Sequence, residues 1–155
     1  MGTKAKGVVA DAPSHAAPLR PAAHGGWESE GRMDIRSKLT ALCEAFNAHD
    51  LDSIMGFFAD DCVLEMPRGN KPWGSRFEGK RKVREGLATR FEGLPDVHYG
   101  NAEHFVDSTA NTGISKWTLT GTMREGKRIE VRGCDFYTFR DGAVIGKDSY
   151  WKIVE

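Results

Sequence analysis

A carboxylate and an ammonium that could face each other, Asp135 and Lys147, fall within RGCDFYTFRDGAVIGKDSYWK, residues 132–152. The Asp141-Gly142 pair in their midst has turn chemistry, so this stretch reads as a hairpin of two strands. Side chains alternate along a strand, and a one-residue slip moves each to the other face. A two-residue Asp141-Gly142 loop sets Asp135 opposite Asp148, a destabilising like-charge pair. A three-residue loop from Arg140, with Gly142 left-handed, sets Asp135 opposite Lys147. The second register is preferred, and it gathers Val131, Tyr137, Ile145 and Trp151 on the Asp135 face. Two behaviours of Asp135 then remain open. If Lys147 reaches it, the carboxylate stays ionised and can orient or accept from a ligand, or serve only as a cross-strand ion pair. If Lys147 snorkels outward, burial among Tyr137, Trp117 and Trp151 raises the Asp135 pKa and makes it a hydrogen-bond donor.

Other motifs carry less. His98 and His104 share a face by parity but sit six residues apart, roughly 20 Å at about 3.3 Å per residue, so they cannot grip one metal ion. Either can still line a pocket as an acid or base, and a rim histidine is the plainer account. GSRFEGKR, residues 74–81, has phosphate-loop spacing up to Lys80, then Arg81 where Ser or Thr must hold magnesium. No metal or cofactor is expected. Trp73, Trp117, Trp151, Tyr137, Phe77 and Met66 form the set best suited to wall a cavity for a flat or apolar ligand, or simply to fill a core.

With 155 residues and 39% hydrophobic content, the chain can bury one core. Its 22 basic and 22 acidic residues are interspersed, which argues against a nucleic-acid partner. Cys43, Cys62 and Cys134 are widely spaced and read as thiols of a reducing compartment, the cytoplasm. No apolar run approaches the roughly 20 residues of a membrane span.

Residues 1–32, rich in Ala, Gly and Pro, predict a disordered leader, and residues 33–155 a folded domain. From Asp34, a plausible N-cap, Ile35, Leu39, Leu42, Cys43 and Phe46 mark one helical face. Asp50 caps a second helix carrying Leu51, Ile54, Phe57 and Phe58. A strand over 62–66 follows, then a Gly/Pro-rich loop over 67–79, and a third helix marked by Val83, Leu87 and Phe91. Alternating and β-branched segments at 97–106, 112–122, 128–139 and 144–154 predict an antiparallel meander. The layout is α+β, helices packed on one face of a curved sheet.

This order, with FFADDCVLEMP (57–67), FEGKRKVREGL (77–87), WTLTGTMREGKRIEVRGCDFYTFRDG (117–142) and DSYWK (148–152), resembles the SnoaL-like branch of the nuclear transport factor 2-like superfamily. Relatives include ketosteroid isomerases, SnoaL-type polyketide cyclases and limonene-epoxide hydrolases. The resemblance implies a cone-shaped, cystatin-like half-barrel whose curved mixed or antiparallel sheet wraps the N-terminal helices around a cavity, often in a dimer. It does not carry over a complete catalytic set. The isomerases' general base falls at Met66, and their oxyanion-hole tyrosine near Leu42. Their second oxyanion-hole carboxyl matches Asp135, which the resemblance makes the candidate catalytic residue. The cyclases' acid/base aspartate falls at Ser149, and the epoxide hydrolases' arrangement of two Asp and an Arg is absent. The expected protein is therefore a homodimer binding a small apolar or aromatic molecule in a closed pocket of a few hundred Å³. Asp135 lies at the floor of that pocket, with Tyr137, Trp117, Trp151, Lys147, Met66, Trp73, Ser149 and His98 as candidate ligand contacts. Whether it is an isomerase-, cyclase- or hydrolase-like enzyme or a non-catalytic binding or dimerisation module stays open, because fold does not fix function.

Overall fold

The computed structural model describes residues 33–155; the expected leader, 1–32, lies outside the described residues. Three helices and six strands follow in the order α1 (Ile35–Asn47), α2 (Leu51–Gly56), β1 (Phe58–Glu65), β2 (Arg76–Glu78), α3 (Lys80–Gly93), β3 (His98–Asp107), β4 (Thr112–Thr122), β5 (Arg128–Arg140) and β6 (Ala143–Trp151). Both helix starts obey the capping expectation. Asp34 accepts from the Ser37 amide at 2.8 Å, and Asp50 from the Ser53 amide at 3.0 Å and its hydroxyl at 2.6 Å. Phe57 and Phe58, expected on α2, instead end that helix and begin β1, which is longer than the predicted 62–66.

The strands form one curved, unclosed sheet in the order β2-β1-β6-β5-β4-β3. All neighbours are antiparallel except β1 and β6, which run parallel and make the sheet mixed. The β2 edge lies in a stretch read as loop. Its Arg76 bonds Glu65 at 2.5 Å and Glu78 at 2.8 Å. Leu39, Leu42 and Phe46 of α1 pack with Ile54, Leu64, Val83, Leu87, Tyr137, Phe139 and Val144 in the main core. Each fully buried leucine there is worth about 1.5–3 kcal/mol over exposure. Asn47 clips α1 to β3 as a strand would, donating to the Tyr99 carbonyl at 3.0 Å and accepting from its amide at 2.8 Å.

Two bulges correct the expected registers. Arg140 pairs with Ala143 across a two-residue Asp141-Gly142 turn, whose φ values of 51° and 79° are both left-handed. The register then shifts between Thr138 and Phe139, because Ile145 is surplus to the ladder, and Asp135 faces Ser149 rather than Lys147 or Asp148. Lys147 faces Tyr137 and stays on the inner side, diagonal to Asp135. Ile145 leaves the expected inner set, and Val144 takes the buried place. In β3 the register shifts between Gly100 and Glu103, so His98 pairs with Thr120 and His104 with Ser115. Thr120 alternates away from buried Leu119 while Ser115 is itself buried, so the two histidines do not share a face.

Candidate active site

The inner faces of β4, β5 and β6 bring Ser115, Asp135 and Ser149 into one transverse row, which His104 extends onto β3. His104 Nδ1 lies 2.9 Å from Ser115 Oγ. Two residue pairs along, on the same face, Trp117 faces Gly133, and the indole lies directly over that glycine: a Cβ there would stand 2.6 Å from the ring and 2.3 Å from the Tyr150 carbonyl oxygen. The absence of a side chain at Gly133 thus lets Trp117 Nε1 reach Asp135 Oδ2 at 3.0 Å.

Asp135 Oδ1 accepts twice more, from Lys147 Nζ at 2.5 Å and Ser149 Oγ at 2.6 Å. Lys147 also donates to Ser149 Oγ at 2.7 Å, closing a triangle. Asp135 is 5% exposed, Lys147 7% and Ser149 6%, so this is a buried, mutually satisfied cluster. The Lys147 ammonium lies 5.6 Å from the centres of both the Phe46 and Tyr137 rings. Burial pushes the Lys147 pKa down, and the Asp135 charge and hydrogen bond hold it up in part. Burial pushes the Tyr137 phenol well above its ordinary value, and the Asp135 charge adds to the rise. Of the two behaviours open to Asp135, the structure takes the one in which Lys147 reaches it.

Chemically, the cluster suits electrophilic assistance better than proton abstraction. Three donors occupy the carboxylate, whereas Lys147 commits two of its three N–H groups within the cluster. The third can meet an oxygen on which negative charge develops, in surroundings of low dielectric.

One space adjoins the cluster, and a second lies beyond it. The inner one, about 10 Å³, is bounded by Asp135, Lys147 and Ser149, by Met66, Trp117 and Trp151, and by Phe46, Leu87, Arg90 and Tyr99. That is room for about one water molecule, not the expected few hundred Å³. The outer one is a cleft of about 780 Å³ open to solvent, with apolar walls from Leu94, Met123, Ile129 and Val131. Arg90 and Trp151 line both, with the guanidinium 4.3 Å from the indole centre. They stand as a partition between cleft and cluster.

The structure therefore brings together Asp135, Trp117, Trp151, Lys147, Met66 and Ser149, with Tyr137 packed behind Lys147. It does not bring in two expected contacts. Trp73 is 49% exposed on the loop before β2 and lines neither space, because that loop folds back on itself through bonds from Ser75 to Arg68 and from Gly74 to Lys71. His98 is exposed, its side chain carried outward by the β3 register. Arg90 and Tyr99 were not anticipated. Arg90 is legible in retrospect: it lies seven residues after Val83 and three after Leu87, on the buried stripe of α3.

The chain's backbone is similar to that of several solved structures. A candidate polyketide cyclase from Xanthomonas campestris pv. campestris aligns with a TM-score of 0.67 at 17% identity, over 76% of this chain and 89% of that one. TerC, co-crystallised with polyporic acid, aligns at 0.65 and 18% identity, over 76% and 90%. A protein of unknown function with a cystatin-like fold, from Xanthomonas campestris, aligns at 0.67 and 15% identity, over 78% and 92%. At such identities the likeness shows the fold. No curated protein matches the chain. The SnoaL-like domain family matches residues 39–146, most of the chain. With that match on a cone-like sheet wrapped over α1 and α3, the chain belongs to the SnoaL-like family of the nuclear transport factor 2-like superfamily.

Proposed function

We propose that the protein binds an apolar or aromatic small molecule bearing a carbonyl group, and that Lys147, aligned by Asp135 and Ser149, polarises that carbonyl so that solvent water takes a proton from the adjacent carbon and returns one, in an isomerase- or cyclase-like transfer. The observation that carries this reading is the buried Lys147 ammonium with one N–H uncommitted in the cluster, separated from the apolar-walled cleft by the Arg90 and Trp151 side chains. The ligand's carbonyl reaches it when the Arg90 and Trp151 side chains part. Asp135 in this scheme is a positioning residue, keeping the ammonium charged and aimed. The three free thiols, Cys43, Cys62 and Cys134, fit a reducing compartment such as the cytoplasm.

The test is a thermal-shift screen of steroid ketones, polyketide-like phenolic ketones and terpenoid ketones, followed by NMR of deuterium uptake beside the carbonyl of each binder. A ligand at 100 times its Kd stabilises the fold by about 2.7 kcal/mol. Wild type is expected to accelerate exchange, and Lys147→Met to lose that acceleration. Binding without accelerated exchange identifies a non-catalytic binding module instead. If no class stabilises the protein, the ligand-binding reading falls.

A second reading concerns assembly, as a homodimer through the outer face of the sheet. Its support is the exposed aromatic set on that face: Phe105 and Phe136 both lie opposite Ile114, and Tyr150 meets Phe136 edge-on at 5.7 Å. Sedimentation velocity should show a dimer that Phe136→Asp dissociates. A monomer at high micromolar concentration refutes it.

A further inference from the structure

The charges around the outer cleft are segregated in a chain that is neutral as a whole. Arg68, Arg90, Lys127, Arg128 and Lys152 line it against Glu125 and Glu130, five basic groups less two acidic, an excess of three. Among the described residues Arg90 has no carboxylate at ion-pair distance. Its guanidinium lies against the Trp151 ring and close to the Tyr99 phenol, which burial pushes well above its ordinary value while the Arg90 charge opposes that rise only in part. Arg68 approaches the same indole at 5.6 Å. A half-buried guanidinium without a counterion, held 4.3 Å over the centre of an indole where the cleft ends, is suited to meet a planar anion in bidentate fashion. Leu94, Ile129 and Val131 offer an apolar surface beside it.

We propose that the cleft selects a planar aromatic carboxylate, whose anionic end pairs with Arg90 while its ring covers the Leu94, Ile129 and Val131 wall. This rests on the ligand-binding reading of the same site and adds to it the charge of the ligand. Pairing with the carboxylate draws Arg90 from Trp151, so the group that recognises the ligand is also half of the partition in front of Lys147. Acid recognition and access to the cluster are thereby one movement. The carbonyl that meets Lys147 is then a second polar group on the same ring system, distinct from the carboxylate.

The probes are 2-naphthoate and its neutral methyl ester, titrated calorimetrically into wild type, Arg90→Gln and Arg90→Lys, with thermal unfolding of each variant to confirm the fold. Wild type should bind the acid about tenfold more tightly than the ester, the worth of one charged hydrogen-bonded contact. Arg90→Gln should lower the acid to the ester's affinity and leave the ester unchanged, and Arg90→Lys should keep part of the preference. Equal affinity for acid and ester in wild type, or a preference that survives Arg90→Gln, overturns the anion selectivity and leaves the ligand-binding reading standing. No binding of either probe to wild type overturns this proposal, and the screen of neutral ketones then decides separately whether the broader reading survives.

Discussion

Replacing Lys147 with methionine removes one charge of a buried pair and keeps the volume of the side chain. At an effective dielectric of about 20, two unit charges at the 2.5 Å seen between Lys147 and Asp135 attract by about 7 kcal/mol. Burying the two ions costs several kcal/mol each, so the pair as a whole contributes little net stability. The single variant does not share that balance. Lys147→Met leaves the Asp135 carboxylate buried with Trp117 Nε1 and Ser149 Oγ as donors but no countercharge, and such uncompensated charge costs about 3–5 kcal/mol. Combining it with Asp135→Asn removes the charge as well, and most of the loss should return. Urea unfolding of the four proteins gives the coupling directly, with an expected value of about 2–4 kcal/mol. A loss below about 1 kcal/mol for Lys147→Met would mean that the ammonium reaches water, the range of exposed ion pairs. Additive losses in the double variant would equally refute the buried pair.

Gly133→Ala drives a methyl group into the Trp117 ring and the Tyr150 carbonyl, so it should cost about 1–3 kcal/mol and change the near-ultraviolet circular dichroism of the indole; a silent substitution would mean that the ring does not lie over the glycine. The Tyr137 phenol is raised above its ordinary 10.0 in the folded state, so its contribution to stability is intact below pH 10 and is lost as pH rises through the range above it. Denaturation midpoints between pH 9 and 11 should therefore fall less steeply in Tyr137→Phe, and an unchanged slope would contradict the burial of the phenol. Asp50→Ala removes the acceptor for the Ser53 amide and hydroxyl, and thermal unfolding should register a loss of about 1 kcal/mol.

Much of the fold was open to reading because its signals are local. Asp34 and Asp50 each precede a helical apolar pattern, and the turns at Asp141-Gly142 and Glu125-Gly126 separate alternating runs. The edge strand β2 was not, because it lies among glycines and prolines and forms only by pairing with Val63, Leu64 and Glu65. Residue types point to Asp135, Lys147 and Trp117, and the family resemblance to Asp135 and Ser149. Their arrangement was hidden, since Asp135 meets Ser149 only through the Ile145 bulge, and His98 leaves His104 only through the bulge before Glu103. Nothing in either dipeptide neighbourhood marks the surplus residue; the fit of distant strands selects it. Arg90 is hidden because its charge masks its place on the apolar stripe of Val83 and Leu87.

The surplus residue in β6 also isolates the cluster from the hairpin tip. Without Ile145, strict alternation from Phe139 and Val144 would carry the ladder onward with Gly146 opposite Thr138, the same pairing that the bulged strand has. A chain lacking Ile145 would thus keep Lys147 and Ser149 beside Asp135, whereas one that kept the residue but straightened the strand would bring Asp148 there instead. Deletion is the milder change and slippage the harmful one. The groups around the carboxylate are accordingly set by the far half of β6, and the bulge absorbs the residue that separates them from the turn.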